Sequence, residues 1–538
     1  MLVNNLKKSI NGKTILNNIS FSLNDNDKIG LVGGNGSGKS TLLKILSGNL
    51  DKDSGTIKLN EQTVGYLKQE ISHDFDSLSI SSYIKQEIGI DILENRLHEL
   101  ESKLTEDNME EYGDVFNKFL SMDGYSFDDN LKMILNGLKL KESLQDKIYI
   151  LSGGEKIKVL LASLLLKNTD ILLLDEPTNN LDVEAIEWLE NYLKIINKKI
   201  IVVSHDENFL NNVVNKIFEL NEGILTEYNL NYSKYLIQKE NEYAQKLEEY
   251  NKAKEQKEKL KKQVLKAKEW ANKGLSKKAH NDNDKIANNF AKEKTNTTNV
   301  SKLSKALEEL YIPIFEEKKP IKFLFDFDKS KGNKDIILDN LICGYESFRT
   351  SKLNLTIPFG TRLTVSGGNG SGKTTLIKTI LQEIPAVSGT VVIGNDAKIG
   401  YISQDTLNQS NDDNLLNYLI KDKKDIDLSL VFILLDKFGI SYDDKDKIYS
   451  NLSPGERTRV NLVKIALNKI NILILDEVTN HLDKEAIDLI YELIASYSGT
   501  IISISHNRKY NEILNADMDI NIENGIIKYK ETNKKKHL

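Results

Sequence analysis

Residues 31–46 read "LVGGNGSGKSTLLKIL", and residues 365–380 read "VSGGNGSGKTTLIKTI". Both carry the spacing G-x-x-x-x-G-K-[ST]. The first follows the strand-like run "DKIGLV", the second "TRLTV", and each opens an apolar pattern at helical spacing. Strand, glycine loop and helix in that order make a phosphate-binding loop. The glycines let backbone N–H groups wrap around phosphate oxygens, and the helix N-terminus adds a favourable field. The candidate phosphate-binding residues are Gly33, Gly34, Asn35, Gly36, Ser37, Gly38, Lys39, Ser40 and Thr41. Their counterparts are Gly367, Gly368, Asn369, Gly370, Ser371, Gly372, Lys373, Thr374 and Thr375. Lys39 and Lys373 are placed to reach the β- and γ-phosphates, and Ser40 and Thr374 to hold Mg²⁺ through their hydroxyls. ATP and Mg²⁺ are the expected ligands.

The chain repeats more than this loop. "ILLLDEPTNNLD" at Ile171 recurs as "ILILDEVTNHLD" at Ile472, and "VVSHD" at Val202 recurs as "SISHN" at Ser503. Between loop and acidic strand stand "LSGGE" at Leu151 and "LSPGE" at Leu452. Four motifs in one order, twice, are the mark of a duplicated domain. The expected boundaries are residues 1–228 and 333–532, with a short basic tail at 533–538.

The runs "ILLLDE" and "ILILDE" read as buried parallel strands ending in two acids. Asp175 and Asp476 then sit where the strand meets the phosphates, as ligands of the Mg²⁺ shell. Glu176 and Glu477, one residue on, are candidates to polarise the attacking water. His205 and His506 end another apolar strand each. A lone histidine is more often structural; two at matching positions point to a γ-phosphate sensor.

Composition narrows the class. The 538 residues are too many for one core. Hydrophobic residues at 39% and charged residues at 28% fit a globular protein. No apolar run approaches the roughly 20 residues that span a bilayer. The N-terminal residues lack a signal-peptide pattern, so a cytoplasmic protein is expected. One cysteine, Cys343, excludes an internal disulfide and any multi-cysteine metal or iron–sulfur site.

Residues 229–332 read differently. From Asn231 to Ala271 there is no Pro or Gly. Leu236, Tyr243, Leu247, Tyr250, Leu260 and Val264 fall near helical spacing. About 40 residues give a helix of roughly 60 Å. Gly274 and "HNDND" are the expected breakers. Leu303, Leu307 and Leu310 then begin a second helical pattern that ends before Pro313. The two suggest an antiparallel helical hairpin with its tip at about 272–290. From Asn251 to Lys294 there are 14 lysines against 6 acids, a net of +8 in a chain whose formal net charge is -6. A narrow basic element of this kind suits RNA phosphates, with His, Asn, Trp270 and Phe290 available to bases. The alternative is a solvated helix face, with Trp270 and Phe290 bracing the hairpin.

The loop, "LSGGE", "LLLDEPTNNLD" and "SHD" together resemble the ATP-binding cassette (ABC) ATPases. The resemblance covers both domains. It implies a fold of two P-loop ABC domains joined by the helical hairpin. It also implies that Gln69 and Gln404 join the Mg²⁺ site and that Asp182 and Asp483 are D-loop residues. Such cassettes pair head to tail within a monomer. One site would then combine Lys39, Glu176 and His205 with Ser453, Gly455 and Glu456. The other would combine Lys373, Glu477 and His506 with Ser152, Gly153 and Gly154. Departures from the pattern are Pro454 in the second signature and Val478 after Glu477. The adenine-stacking aromatic matches Tyr345 in the second domain but Ile10 in the first. Two unequal sites are expected, with both hydrolysing ATP, or with the site facing Pro454 mainly binding it.

Two cassettes, a helical linker and no membrane domain resemble the ABC-F family. The stretch "KKAHNDNDKIANNF" and the signature "LSPGE" are similar to its members that protect ribosomes from antibiotics. That resemblance implies binding at the ribosomal E site with ATP bound. The linker would approach 23S rRNA and the P-site tRNA near the peptidyl-transferase centre. Lincosamides, pleuromutilins and streptogramin A are the implied drugs, displaced before hydrolysis releases the protein. Two alternatives stay open: a housekeeping ABC-F factor that rescues stalled ribosomes, and the ATPase subunit of a transporter with separate membrane subunits.

Overall fold

The computed structural model describes residues 1–34, 36–68, 71–140, 143–179, 181–276, 301–302, 304–307, 333–345, 348–403, 411–421, 426–468, 470–479, 482 and 484–531. Asn35, Gln69, Gln404, Asp483, residues 277–290 of the expected tip and the tail at 533–538 lie outside these. The chain divides into two compact units. One holds both cassettes, Met1–Tyr232 with Ile321–Leu538, and the other is Ser233–Pro320.

In the first cassette the strands are β1 (Leu2–Ile10), β2 (Lys13–Ser22), β3 (Lys28–Val32), β4 (Ser54–Lys58), β5 (Val64–Tyr66), β6 (Ile171–Asp175), β7 (Lys199–Val203), β8 (Lys216–Asn221) and β9 (Ile224–Tyr228). A six-stranded sheet runs β5-β6-β7-β3-β8-β9, parallel except for the β8–β9 hairpin. A smaller antiparallel sheet runs β2-β1-β4. The second cassette repeats the large sheet in the order Ile399–Ser403, Ile472–Asp476, Thr500–Ile504, Arg362–Ser366, Met518–Glu523, Ile526–Glu531.

This strand order positions the site. β6, β7 and β3 are neighbours, and their carboxyl ends lead into Glu176, Ser204–His205 and the glycine loop respectively. Ligands of open parallel sheets bind at those ends. Every residue of β6 is buried, including Asp175, because helices cover both faces of a central parallel strand. The helix after the loop, Lys39–Leu46, is clamped between the two sheets. Its Leu42, Leu43 and Leu46 join Val3, Leu6 and Leu16 on one side and Leu31, Leu173 and Phe218 on the other. Each buried side chain of this kind contributes about 1.5–3 kcal/mol. In the second cassette Leu376, Ile377 and Ile380 do the same between Leu338 and Leu363.

The linker is carried by the helix Tyr232–Ser276, of 45 residues, a span of about 67 Å. The sequence expectation that Gly274 breaks it is corrected, since the helix continues through Gly274 to Ser276. A single interior glycine costs only about 1 kcal/mol against alanine, too little to end a long helix. Tyr243, Leu247, Tyr250, Ala253, Lys257, Leu260, Val264 and Ala267 are among the more sheltered positions along its middle. Their steps of three and four residues put them on one face of the helix, the spacing of a coiled-coil seam. Of the second hairpin helix, 301–302 and 304–307 are described, and they are helical.

Candidate ATP sites

The loops are built by backbone constraint. Gly33 has φ +154° and Gly38 φ +102°. A Cβ on Gly33 would overlap the Leu220 carbonyl oxygen, and one on Gly38 would lie 2.7 Å from Ile15 Cγ2. Gly367 and Gly372 repeat this against the Ile522 carbonyl and the Phe348 ring. Lys39 Nζ donates to the carbonyls of Gly33 and Gly34 at 2.8 and 3.0 Å. Lys373 Nζ donates to Gly367 and Gly368 at 2.9 and 3.0 Å. Each ammonium is thus held over its own loop. Neither following helix has an acid in its first turn, so the positive helix end is left for an anion. The Ser37 and Ser371 hydroxyls are buried without a hydrogen-bond partner. Buried orphans of this kind in a cationic loop fit phosphate oxygens.

Around the first loop lies a cleft of about 740 Å³, lined by Ile10, Lys13 and Ile15, by the loop through Thr41, and by Asp175, Glu176, Asn179 and His205. Among the described residues its lining comes from the first cassette, and Ser453 and Gly455 are not part of it. Ile10 is one of the residues that line this cleft. Tyr345, its counterpart, is 53% exposed on the small Gly344–Tyr345/Phe348–Arg349 hairpin.

The acids divide by environment. Asp175 is buried with an unpartnered Oδ2. Asp476 is held above the usual carboxylate range by burial, opposed by hydrogen bonds from the Thr374 and Tyr401 hydroxyls. Thr374 and Asp476 thus meet as a hydroxyl–carboxylate pair, a donor set that suits Mg²⁺ completed by phosphate and water. Glu176 and Glu477 follow with φ +51° and +50°. Their N–H groups donate to Val203 and Ile504 carbonyls at 2.9 Å, which turns both side chains out of the sheet. A non-glycine residue in this region costs about 1–2 kcal/mol, strain of the kind found at functional sites. Glu176 Oε1 lies 3.4 Å from His205 Nε2, and Glu477 Oε1 lies 3.7 Å from His506 Nε2. Burial, aided by Asp175, pushes the Glu176 carboxyl up to about 7, against the pull of Lys39. That value suits a general base working near neutral pH. Burial, aided by Lys373, pushes His506 down to about 4.

The signatures start helices. Ser152 caps Gly153–Leu166 and Ser453 caps Pro454–Leu467, each in a capping box closed by Glu155 or Glu456. Glu456 Oε2 accepts from Ser453 N at 2.8 Å, so its carboxylate is turned back on its own cap. Pro454 occupies the first helical position, where the missing N–H costs no intrahelical bond. Gly154 and Gly455 follow in the first turns.

The cassettes meet across a small cavity of about 60 Å³. Glu176, Asn179, His205 and Asp206 line it from one side, and Asn369, Glu477, His506 and Asn507 from the other. The charge of Asp182, in the first cassette, acts on both Lys373 and His506. Ion pairs cross the same interface: Arg508 to Glu187 at 3.3 Å and Lys509 to Glu207 at 2.7 Å. Sequence reading missed these residues. The signal was present, because "SHDEN" and "SHNRK" carry opposite charges directly after matched histidines.

Two parallel-sheet domains, each with a glycine loop, an acid pair, a strand-end histidine and a capped serine signature, define a tandem ATPase of the ABC type. The family model described as "ABC transporter" matches residues 16–179 and 350–480, and a second model with that description matches 218–323. The ATP-binding protein YdiF of Bacillus subtilis (strain 168) is 32% identical over 528 residues, covering 94% of this chain and 78% of that protein. ABC transporter F family member 2 of Arabidopsis thaliana is 28% identical, covering 98% of this chain and 77% of its own. The crystal structure of archaeal ribosome recycling factor aABCE1 with ribosomal stalk protein aP1 matches with TM-score 0.59 at 18% identity, covering 97% of this chain and 87% of that one. At that identity the likeness speaks for the fold. The chain belongs to the ABC ATPases, of the tandem ABC-F type, and it is an ATP hydrolase. No helix among the described residues is long and apolar enough to cross a membrane.

Proposed function

We propose that this protein is a ribosome-associated ABC-F ATPase that uses ATP binding to engage and hydrolysis to leave. The observation that carries this reading is the long basic helix Tyr232–Ser276 inserted between two cassettes. The domain division 1–228, 229–332 and 333–532 goes with it. A structural neighbour is an archaeal ribosome recycling factor, which is consistent.

Within each site the division of labour follows the geometry. Lys39 and Lys373 reach the terminal phosphates once they exchange their loop carbonyls for phosphate oxygens. Mg²⁺, where bound, neutralises developing charge on the β- and γ-phosphates. Ser40 with Asp175, and Thr374 with Asp476, are its proposed protein ligands, with Gln69 and Gln404. Glu176 and Glu477 orient and deprotonate the attacking water, and His205 and His506 contact the γ-phosphate beside them. Tyr345 stacks on adenine in the second site. Ser152, Gly153 and Gly154, and in the other site Ser453, Gly455 and the Glu456 cap, close over the nucleotide from the opposite cassette.

At the finer level the linker enters the E site and reaches towards the P-site tRNA and 23S rRNA, displacing peptidyl-transferase antibiotics. The test is co-sedimentation of ribosomes with the Glu176→Gln/Glu477→Gln double variant, with and without ATP. ATP-dependent pelleting is expected, together with drug sensitivity on deletion of the gene. Pelleting without any change in drug sensitivity leaves the housekeeping role. Absence of pelleting overturns the ribosomal reading.

A further inference from the structure

The second sensor helix, Arg508–Leu514, begins with two cations at the positive end of its own dipole. That placement is locally unfavourable. The first cassette puts Glu207 at the matching position, where the dipole favours it. A sequence that breaks a local rule at one copy of a repeat has a compensating partner elsewhere. Here the partners are in the other cassette. Lys509 Nζ bonds Glu207 Oε2 at 2.7 Å. Arg508 pairs with Glu187 at 3.3 Å and Glu190 at 3.5 Å. The Glu190 side chain is only 6% exposed, and its other oxygen accepts from Asn212 at 2.9 Å.

These bonds tie three elements together. Arg508 and Lys509 lie two and three residues after His506. Glu207 lies two residues after His205. Glu187 and Glu190 sit on the helix Val183–Ile195, whose N-cap is the D-loop residue Asp182. We propose that Arg508 and Lys509 are positioning residues, a clasp that couples the two ATP sites by fixing the second sensor helix to the first cassette's D-loop and sensor helices. Withdrawal of Arg508 would strand the buried Glu190 charge, so the clasp holds while the cassettes pivot. Movement at one phosphate site is then passed to the other.

The proposal goes beyond the ribosomal reading and is tested without ribosomes. Photolabelling with radioactive azido-ATP, followed by proteolytic cutting in the linker, reports occupancy of each cassette separately. The full chain carries Glu176→Gln and Glu477→Gln to stop turnover. Removing second-site binding with Lys373→Ala is expected to weaken first-site labelling at least about fivefold when the clasp is intact. With Lys509→Glu that ratio falls towards one. The swap Glu207→Lys with Lys509→Glu restores it, which a merely structural loss would not do. Should the reversal fail to fold, Lys509→Gln serves, with the same expected fall. A ratio near one in the intact protein, or one unchanged by clasp variants, overturns the coupling.

Discussion

Burial raises the pKa of Glu176 and lowers that of His506, and both shifts favour the neutral form. The Glu176 carboxyl is raised from its ordinary 4.5 to about 7 by burial and by Asp175. A raised carboxyl favours the protonated folded state. Its stabilising contribution is complete below pH 4.5 and is lost as pH rises through 7. Glu176→Gln should therefore stabilise the nucleotide-free protein at pH 8 relative to pH 5, by on the order of 2 kcal/mol after allowing for partial solvent screening. Urea unfolding at the two pH values checks this, and an equal effect at both would refute it. His506 has the opposite sign. Its pKa is depressed to about 4, so its contribution is present above 6.5 and lost as pH falls through 4. His506→Gln should flatten the stability curve between pH 6.5 and 4. Both residues were legible in the sequence, because each follows an apolar strand in two matched copies. Their pKa values were not, since these depend on burial and on Asp175 and Lys373 brought in by other strands.

At the scale of elements, the glycine loop is the most constrained piece. Gly33 holds a positive φ, and its Cα faces the Leu220 carbonyl so closely that no Cβ fits. Gly33→Ala must shift β3 from β8 or reshape the loop. It should cost about 2–3 kcal/mol in stability and abolish ATP binding at that site, measured by thermal unfolding and nucleotide titration. Gly34, whose Cβ would meet nothing within 4 Å, should tolerate alanine structurally, so the pair separates strain from proximity to phosphate. Sequence spacing identified both glycines but could not tell them apart; the difference lies in Leu220, nearly 190 positions away. The linker helix shows the reverse limit. Its apolar spacing predicted the helix, whereas Gly274 does not stop it within the described residues, because one glycine is a weak stop. The charge reversal at Glu207 and Arg508 was visible in the repeats, yet only the packed cassettes show what it joins.

For the whole molecule, charge segregation makes the sharpest test of function. The cassettes are acidic and the stretch Asn251–Lys294 is basic by +8. Not all of its lysines are equally available to a polyanion. Lys252 is paired with Glu248 at 2.6 Å, and Lys259 with Glu255 at 3.8 Å, on their own helix. Lys261, Lys262, Lys266 and Lys268 are exposed, on a helix whose sheltered seam runs through Leu260, Val264 and Ala267. A lysine that neutralises a phosphate releases a counterion, and each release adds about 0.7–0.9 to the slope of log affinity against log salt. Replacing the four exposed lysines with glutamine should therefore lower that slope by about 3 in ATP-dependent ribosome binding. Replacing Lys252 and Lys259 should lower it much less, because their acids already compensate them. The glutamine variants keep helix propensity, so the linker's length and seam persist. Equal slopes for the two sets would mean that the basic face is solvated rather than seated on RNA. The cassettes alone would then have to supply the contact with the ribosome.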